Sequence, residues 1–125
     1  MIVGIGTDIL EVDRIRDSLK KFGEKFIDRI LLPAESEYCL SHTDPSPNIA
    51  ARFAAKEAIA KAFGTGIGES LCWHDMEITR EDSGKPLAQL HGQAQALLEK
   101  TGANHLHITL SHTSQHATAT AVLER

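Results

Sequence analysis

The sequence predicts an α+β domain in which a mostly antiparallel sheet packs against one central helix. The first observation is the order of hydrophobic patterns: a strand, several helices, a hairpin, a helix and a closing hairpin. The second is a long alanine-rich helical pattern over residues 52–64. The third is composition, since 42% hydrophobic and 24% charged residues in a chain of 125 are typical of one globular domain. We therefore expect residues 1–125 to form a single domain.

The first third of the chain predicts one strand followed by short helices. Residues 2–9 are β-branched and contain two glycines, which indicates a buried strand that a neighbouring backbone approaches closely. Apolar residues at helical spacing predict a helix over 11–22 that ends at Gly23. A second short helix is expected around residues 26–30. A third begins at the proline of the segment 33–40.

The central helix is predicted to begin after a cap at Asn48 and to end at Gly64. Its apolar residues gather on one side of a helical wheel, and its charged residues form two further stripes. The charged positions are Arg52, Lys56, Glu57 and Lys61. Because the residues between them are small, this helix can lie close to other backbone and present its charges to a cleft.

The second half of the chain predicts two hairpins on either side of a short helix. Alternating apolar residues indicate the strands, and the Gly- and Pro-containing stretch between the first two indicates a tight turn. The predicted elements are strand 73–79, turn 82–86, strand 87–90, helix 93–100, strand 106–111 and strand 117–123.

Composition and charge argue against several classes of function. A net charge of -4 and a pI near 5.9 give no support for nucleic-acid binding, which is typical of basic domains. No apolar run reaches the length of a membrane-spanning helix, and the N-terminus has no charged leader. Cys39 and Cys72 are too few and too far apart for a disulfide framework. We therefore expect a reduced, cytoplasmic protein with no membrane or nucleic-acid partner.

Asp8 and Glu57 are the carboxylates whose settings least resemble a protein surface. Asp8 lies in an apolar strand, where a buried carboxylate needs a pairing group or a metal; the alternative is a helix cap or turn aspartate. Two hard oxygen ligands from different elements suit Mg²⁺, which takes one or two carboxylates together with substrate phosphates. For Glu57 the alternative is an i, i+4 salt bridge with Lys61, worth about 0.3–0.5 kcal/mol.

Cations close to these carboxylates would suit a polyphosphate that the metal bridges. They are Arg52, Lys56, Lys61 and Lys85. Residue chemistry alone therefore indicates a metal-assisted enzyme that acts on a phosphate-rich ligand.

The closing hairpin is rich in histidine, at positions 105, 107, 112 and 116. Alternation places His105 and His107 on one face of a strand without a third matched ligand, which argues against a zinc site. The turn Ser111-His112-Thr113 offers several hydrogen-bond donors. They could bind phosphate oxygens, or serve only to close the hairpin.

Four motifs in order resemble those of the holo-[acyl-carrier-protein] synthase family, the small bacterial-type branch of the 4'-phosphopantetheinyl transferases. The motifs are Gly6-Thr7-Asp8-Ile9 followed by Arg14-Ile15, the stretch 52–58 with 61–66, Ser83-Gly84-Lys85-Pro86, and the stretch 110–113 with Ala117 and Ala119. Each motif is modest alone, but the four together run from residue 2 to the C-terminus at family-like spacing.

The resemblance implies transfer of the 4'-phosphopantetheine group from coenzyme A to a serine of apo-acyl carrier protein, in support of fatty acid biosynthesis. Magnesium would be held by Asp8 and Glu57 and by the coenzyme A pyrophosphate. Lys61 would join these two carboxylates as a catalytic residue, either as a base or as an electrostatic clamp. The residues implied to contact coenzyme A are Arg52, Lys61, Gly64, Lys85, Ser111 and His112.

The resemblance also implies the phosphopantetheinyl transferase fold, assembled as a trimer with active sites between neighbouring subunits. The acidic carrier protein would dock on basic residues of the first two helices, which otherwise form a solvated face. These residues are Arg14, Lys21, Lys25 and Arg29. His105, His107 and His116 match no motif of the family. The alternatives are a non-catalytic module that binds coenzyme A or an acidic partner, and a structural trimer without a ligand.

Overall fold

The computed structural model describes every residue from Met1 to Arg125 and has five strands and five α-helices in the predicted order. Their bounds are β1 Ile2–Glu11, α1 Val12–Phe22, α2 Glu24–Ile30, α3 Pro33–Leu40, α4 Ser46–Phe63, β2 Met76–Arg80, β3 Pro86–Leu90, α5 Gly92–Thr101, β4 His105–His112 and β5 His116–Glu124. The predicted α+β class is confirmed. No helix combines the length and the apolar character needed to cross a membrane.

The strands form two separate antiparallel sheets. The larger sheet has the order β1-β5-β4, and β2 and β3 form a two-stranded hairpin. In the larger sheet Ile5 lies opposite Val122, which in turn lies opposite His107. Helix α4 packs across one face of this sheet and forms the centre of the core, in which seven alanines of the helix are buried.

Two glycines of β1 let α4 approach the sheet closely. A Cβ atom on Gly6 would overlap the carbonyl oxygen of Ala58, and one on Gly4 would overlap that of Ala62. The predicted close approach of backbone is therefore confirmed, and the neighbour is the central helix. This contact brings the inward face of β1 directly against the charged part of α4.

The structure corrects three predictions: the burial of β1, the start of α4 and the start of β2. Strand β1 is an edge strand, and its outward residues Ile5 and Ile9 are 64% and 69% exposed, so it is buried on only one face. Helix α4 begins at Ser46, and Asn48 lies within its first turn instead of capping it. Residues Trp73–Asp75 form a 3-10 turn, so the strand predicted from residue 73 begins at Met76.

The prediction that Lys56 faces a ligand cleft is wrong. Its side chain is fully buried, and Nζ donates to Glu35 Oε1 and to the Ile30 carbonyl, both at 2.7 Å. Glu35 also accepts hydrogen bonds from the backbone N–H groups of Leu32 and Ile78. Burial lowers the pKa of Lys56, and the charge of Glu35 opposes that shift. This ion pair therefore joins α2, α3, α4 and β2 within the core.

Candidate active site

Asp8, Thr7 and Lys61 meet where α4 crosses β1. The Lys61 ammonium donates to Asp8 Oδ1 at 3.1 Å and to the Thr7 carbonyl at 2.9 Å. The Asp8 side chain is 17% exposed, on the inward face of the strand. Asp8 is therefore a residue in the middle of a strand, and the alternative of a helix cap or turn aspartate is wrong. Likewise Lys61 pairs with Asp8, and the alternative of an i, i+4 salt bridge between Lys61 and Glu57 is wrong.

Glu57 is half-buried beside this pair and has no ion-pair partner. Burial raises the pKa of Glu57, the negative charge of Asp8 raises it further, and Lys61 partly offsets both. The three side chains thus form one cluster with two carboxylates and one cation. Its net negative charge favours a further cation.

The donor set of this cluster fits magnesium. Two carboxylates from different elements supply hard oxygen ligands, and Mg²⁺ usually takes one or two carboxylates and completes its shell with water and substrate phosphates. The structure contains no group of three His, Cys, Asp or Glu side chains arranged to hold a metal. The remaining ligands would therefore have to be oxygens of a substrate or of water.

A cavity of about 150 Å³ lies beside the N-terminal half of α4. Three predicted motifs meet at its wall: the start of the 52–58 stretch, the glycine-proline turn between β2 and β3, and the end of β4. The lining residues are Asn48, Ala51, Arg52, Ile78, Arg80, Gly84, Pro86, Leu110 and His112. The structure therefore brings Arg52 and His112, two of the residues predicted to contact coenzyme A, to the wall of one cavity.

Arg52 is the buried cation of this cavity. Only 5% of the residue is exposed, and Nε is buried without a hydrogen-bond partner. Its guanidinium carbon lies 4.5 Å from the ring centroid of Tyr38. A guanidinium without an ion-pair partner, on a residue that lines a cavity, suits an anionic ligand there.

The cavity and the carboxylate cluster lie along the same helix. Arg52 and Lys61 are nine residues apart, which at 1.5 Å per residue places their Cα atoms about 13 Å apart along α4. At 100° per residue the two side chains also point to opposite sides of α4, so the cavity and the cluster are separate charged sites within one chain.

The remaining residues predicted to contact coenzyme A lie outside the cavity wall. Lys85 is exposed in the turn, between the lining residues Gly84 and Pro86. Gly64 ends α4 in the left-handed conformation with φ +79°. Ser111 lies on the opposite face of β4 from His112, beside Thr118 of β5. Within one chain, the structure does not bring Ser111 to Arg52.

The four residues predicted to dock the carrier protein are all exposed. They are Arg14 and Lys21 on α1 and Lys25 and Arg29 on α2. Arg16, which was not among the predicted docking residues, forms ion pairs with Asp13 and Asp44 at 2.8 Å each. It also donates a hydrogen bond to the Ser114 carbonyl. It therefore links α1 to the turn that follows His112.

Sequence reasoning missed two residues beside the cavity, Arg80 and Tyr38. Strand alternation places Arg80 on the same side as the buried Ile78, at the end of β2 just before the glycine turn, and that signal could have identified it. No comparable signal identifies Tyr38, because its helix α3 meets Arg52 and Arg80 only in the folded chain.

The histidines and cysteines have separate surroundings. His105 and His107 lie on the outer face of β4 with their ring centroids 6.0 Å apart, and His107 Nε2 lies 2.9 Å from Glu124 Oε1. Both cysteines are free. Burial raises the pKa of Cys39 to about 11, which makes its thiol a poor nucleophile.

Comparison with known proteins identifies relatives over almost the entire chain. Residues 4–121 match the model of a family described as the 4'-phosphopantetheinyl transferase superfamily. A holo-[acyl-carrier-protein] synthase of Koribacter versatilis is 46% identical over 124 residues, with 99% of each chain covered. One of Maridesulfovibrio salexigens is 47% identical over 125 residues, with 100% of each covered.

Solved structures give the same result. The holo-[acyl-carrier-protein] synthase of Neisseria meningitidis is similar with a TM-score of 0.92, 38% identity and complete coverage of both chains. The Helicobacter pylori holo-[acyl-carrier-protein] synthase, solved in complex with coenzyme A, is similar with a TM-score of 0.86 and 34% identity, covering 96% of this chain and 99% of that one.

Proposed function

The chain belongs to the 4'-phosphopantetheinyl transferase superfamily, and we propose that it is a holo-[acyl-carrier-protein] synthase. It transfers the 4'-phosphopantetheine group of coenzyme A to a serine of apo-acyl carrier protein and releases adenosine 3',5'-bisphosphate, in support of fatty acid biosynthesis. Relatives that carry this name at 46–47% identity over the whole chain support the assignment. The coenzyme A complex of the Helicobacter pylori relative supports coenzyme A as the donor.

The observation that carries the mechanism is the cluster that Asp8 of β1 forms with Glu57 and Lys61 of α4, the helix that also presents Arg52 to the cavity. Because these two charged sites face opposite sides of α4, one ligand would contact the cluster of one copy and the cavity of its neighbour in the proposed trimer. In this arrangement Arg52 and His112 bind one anionic part of coenzyme A, and the cluster receives the pyrophosphate. The reacting bond then lies beside Lys61.

The reaction is a displacement at phosphorus. The serine oxygen of the carrier forms a bond to the β-phosphorus, the bond from that phosphorus to the bridging oxygen breaks, and this oxygen leaves with its electron pair on adenosine 3',5'-bisphosphate. The serine proton passes to a base. Negative charge that builds on the departing phosphate must be stabilised, and positioned cations supply that stabilisation.

Lys61 is the cation of this chain nearest the reacting bond. Its ammonium group already donates to Asp8 Oδ1 and to the Thr7 carbonyl, and 51% of its side chain is exposed. These two acceptors hold Nζ in place and leave one N–H for a phosphate oxygen. This geometry supports a role for Lys61 as an electrostatic clamp.

Asp8 and Glu57 are the residues that would hold magnesium. Bound Mg²⁺ would neutralise the pyrophosphate and the developing charge on the leaving phosphate. The unpaired Glu57 beside Asp8 supports this assignment, because Lys61 only partly offsets the repulsion between the two carboxylates.

An acidic carrier protein fits the exposed basic residues of α1 and α2. Arg14, Lys21, Lys25 and Arg29 would raise its rate of encounter and orient its serine toward the cluster, since complementary charge mainly affects association rate and register. The two free cysteines fit a reducing compartment, which supports a cytoplasmic location.

A homotrimer is supported by the uncovered outer face of the larger sheet. Ile5 and Ile9 are exposed there in line with Val122 and Thr118 of β5, and no element of the chain covers them. Ser111 lies in the same row as Ile9 and Thr118. Neighbouring copies on this face would complete the active sites and would explain why Ser111 lies far from Arg52 within one chain.

The two alternatives are not favoured. The unpaired Glu57 beside Asp8 and Lys61 argues against a structural trimer without a ligand. The curated relatives quoted above are all named as synthases.

The test is a mass-shift assay on apo-acyl carrier protein with coenzyme A. With Mg²⁺ the carrier should gain the mass of one phosphopantetheine, and chelation should abolish the gain. Asp8→Asn and Glu57→Gln should each abolish transfer while the folded structure is kept. No gain with several apo-carriers would refute the synthase assignment, and near-normal rates in both variants would remove these residues from the metal site.

A further inference from the structure

We infer that Tyr38 is a positioning residue for coenzyme A binding, which holds the guanidinium groups of Arg52 and Arg80 at the cavity wall. The inference rests on the proposed function, since it takes coenzyme A as the occupant of this cavity. Both arginines line the cavity, whereas Tyr38 does not. Tyr38 therefore acts on the ligand through the two arginines.

One aromatic ring contacts both cations. The guanidinium carbon of Arg52 lies 4.5 Å from the Tyr38 ring centroid, and that of Arg80 lies 4.9 Å from it. Arg80 also donates a hydrogen bond to the Tyr38 hydroxyl. A cation close to an aromatic face is attracted by the ring quadrupole. Tyr38 thus restricts the exposed Arg80 side chain, which would otherwise have many rotamers, and holds it beside the buried Arg52.

The two arginines that contact Tyr38 have no carboxylate within ion-pair distance. Neither Arg52 nor Arg80 forms an ion pair, in contrast to Arg16, which pairs with two aspartates. Arg52 is 95% buried by residue surface, and its Nε has no hydrogen-bond partner. Two arginines that form no ion pair, beside one ring at the wall of a cavity, form a site that an anion would stabilise.

Tyr38 is itself held firmly. His42 contacts its ring edge-on with the centroids 5.0 Å apart, and Nδ1 of His42 lies 3.0 Å from the Tyr38 carbonyl oxygen. One turn earlier on α3, Glu35 accepts hydrogen bonds from the buried Lys56 ammonium and from the Ile78 backbone N–H. The ring is therefore part of a rigid support beneath the cavity.

Gly84 packs against the Arg80 guanidinium, where a larger residue would crowd the arginine. Gly84 has φ +91°, and a Cβ atom there would lie 3.3 Å from Nη2 of Arg80. The glycine of the Ser83-Gly84-Lys85-Pro86 turn thus serves the turn conformation and the approach of Arg80 together. Arg80 is exposed, so its guanidinium can reach a ligand that enters from solvent.

The phosphate groups of coenzyme A are the chemistry that this pair of arginines fits. A guanidinium presents parallel N–H donors that match phosphate oxygens, and a pre-oriented guanidinium loses little rotamer freedom on binding. Removal of the ring should therefore weaken coenzyme A binding without changing the chemical step at Lys61.

The experiment compares Tyr38→Leu, Tyr38→Phe and Arg80→Gln with the wild-type chain, using calorimetry of coenzyme A binding and steady-state transfer kinetics. Tyr38→Leu should weaken coenzyme A binding about tenfold and raise its KM equally, with kcat and the carrier KM changed less than twofold. Tyr38→Phe keeps the ring and should stay within about threefold of wild type. Arg80→Gln, an exposed substitution, should weaken binding several-fold.

The control is Phe22→Leu, which removes another exposed ring with a cation over it, that of Lys21, far along the chain from the cavity. Its coenzyme A affinity should equal that of wild type. Wild-type affinity in Tyr38→Leu or Arg80→Gln, or equal losses in Tyr38→Phe and Tyr38→Leu, would overturn the inference. Absence of coenzyme A binding by the wild-type chain would instead overturn the proposed function.

Discussion

Lys61 and Asp8 are joined across the contact between α4 and β1, where the lysine ammonium donates to Asp8 Oδ1 at 3.1 Å. Because Lys61 turns to the strand, Glu57 one helical turn earlier is left without an ion-pair partner. The charge that i, i+4 spacing would have neutralised thus remains available to a cation. The pairing of Lys61 with Asp8 therefore makes the Glu57 carboxylate available at a candidate metal and phosphate site.

Substitution of Lys61 separates its two proposed roles. Lys61→Met should lower kcat for carrier labelling by about a hundredfold or more, because removal of a preorganised cation from a developing charge typically has that effect. Lys61→Arg keeps the charge but cannot accept a proton, so it should keep at least about a tenth of wild-type kcat. Equal losses in both variants, at saturating coenzyme A and Mg²⁺, would contradict the clamp and indicate a base.

Glu57 should make stability depend on pH without added metal. Its folded pKa is raised above the ordinary value of 4.5 by burial and by Asp8, so the native state binds more protons than the unfolded state between those two values. Unfolding free energy therefore falls as pH rises through this window. Urea unfolding should show Glu57→Gln to be more stable than wild type at pH 7, and equal to it below about pH 4.

The role of Glu57 as a magnesium ligand can be tested by thermal unfolding with added Mg²⁺. Added Mg²⁺ should raise the melting temperature of the wild-type chain at pH 7 more than that of Glu57→Gln, since ligands that bind only the native state stabilise it. The same response in both proteins would argue against Glu57 as a ligand.

Lys56 should matter for stability and not for chemistry. Lys56→Met leaves the Glu35 carboxylate buried without its cation, and breaking such a pair costs about 3–5 kcal/mol. Equilibrium urea unfolding measures the loss. Lys20→Met, at an exposed lysine of α1 that forms no ion pair, is the control and should unfold close to wild type. A cost below about 1 kcal/mol for Lys56→Met would show that the pair does not hold the core together.

Gly6 tests the contact that builds the site. In Gly6→Ala the added Cβ overlaps the Ala58 carbonyl, which should destabilise the fold by about 1–3 kcal/mol and lower transfer by moving Asp8 away from Lys61. Gly68→Ala is the control, because nothing lies within 4 Å of a Cβ there and its φ is not positive. Equal unfolding and transfer in the two variants would contradict the close packing of β1 on α4.

The element order and most element boundaries could be predicted from local pattern. Hydrophobic periodicity and stop signals such as Gly23 and Gly64 act within a few residues, so they can be identified without the fold. The exposure of Ile5 and Ile9 could not be predicted from the sequence. An apolar strand has the same sequence pattern whether its second face is covered by the chain or left open to solvent.

The sequence identified most residues of the candidate site, but it predicted only part of how they are arranged in space. Asp8, Glu57, Lys61, Arg52 and His112 were all identified from motifs, and the structure brings them to one helix and its neighbouring strands. The family assignment that the same motifs predicted is confirmed by the match over residues 4–121.

Sequence alone determined the class of fold, the family and the residues that carry charge on the central helix, since these depend on local spacing and motif order. Only the tertiary structure decided which of those charges are available. It buries Lys56 against Glu35, turns Lys61 to Asp8, leaves Glu57 unpaired and sets Arg52 against Tyr38. The physical reason is that ion pairing and burial depend on contacts between elements far apart in the chain, and identical helix spacing is compatible with several such partners.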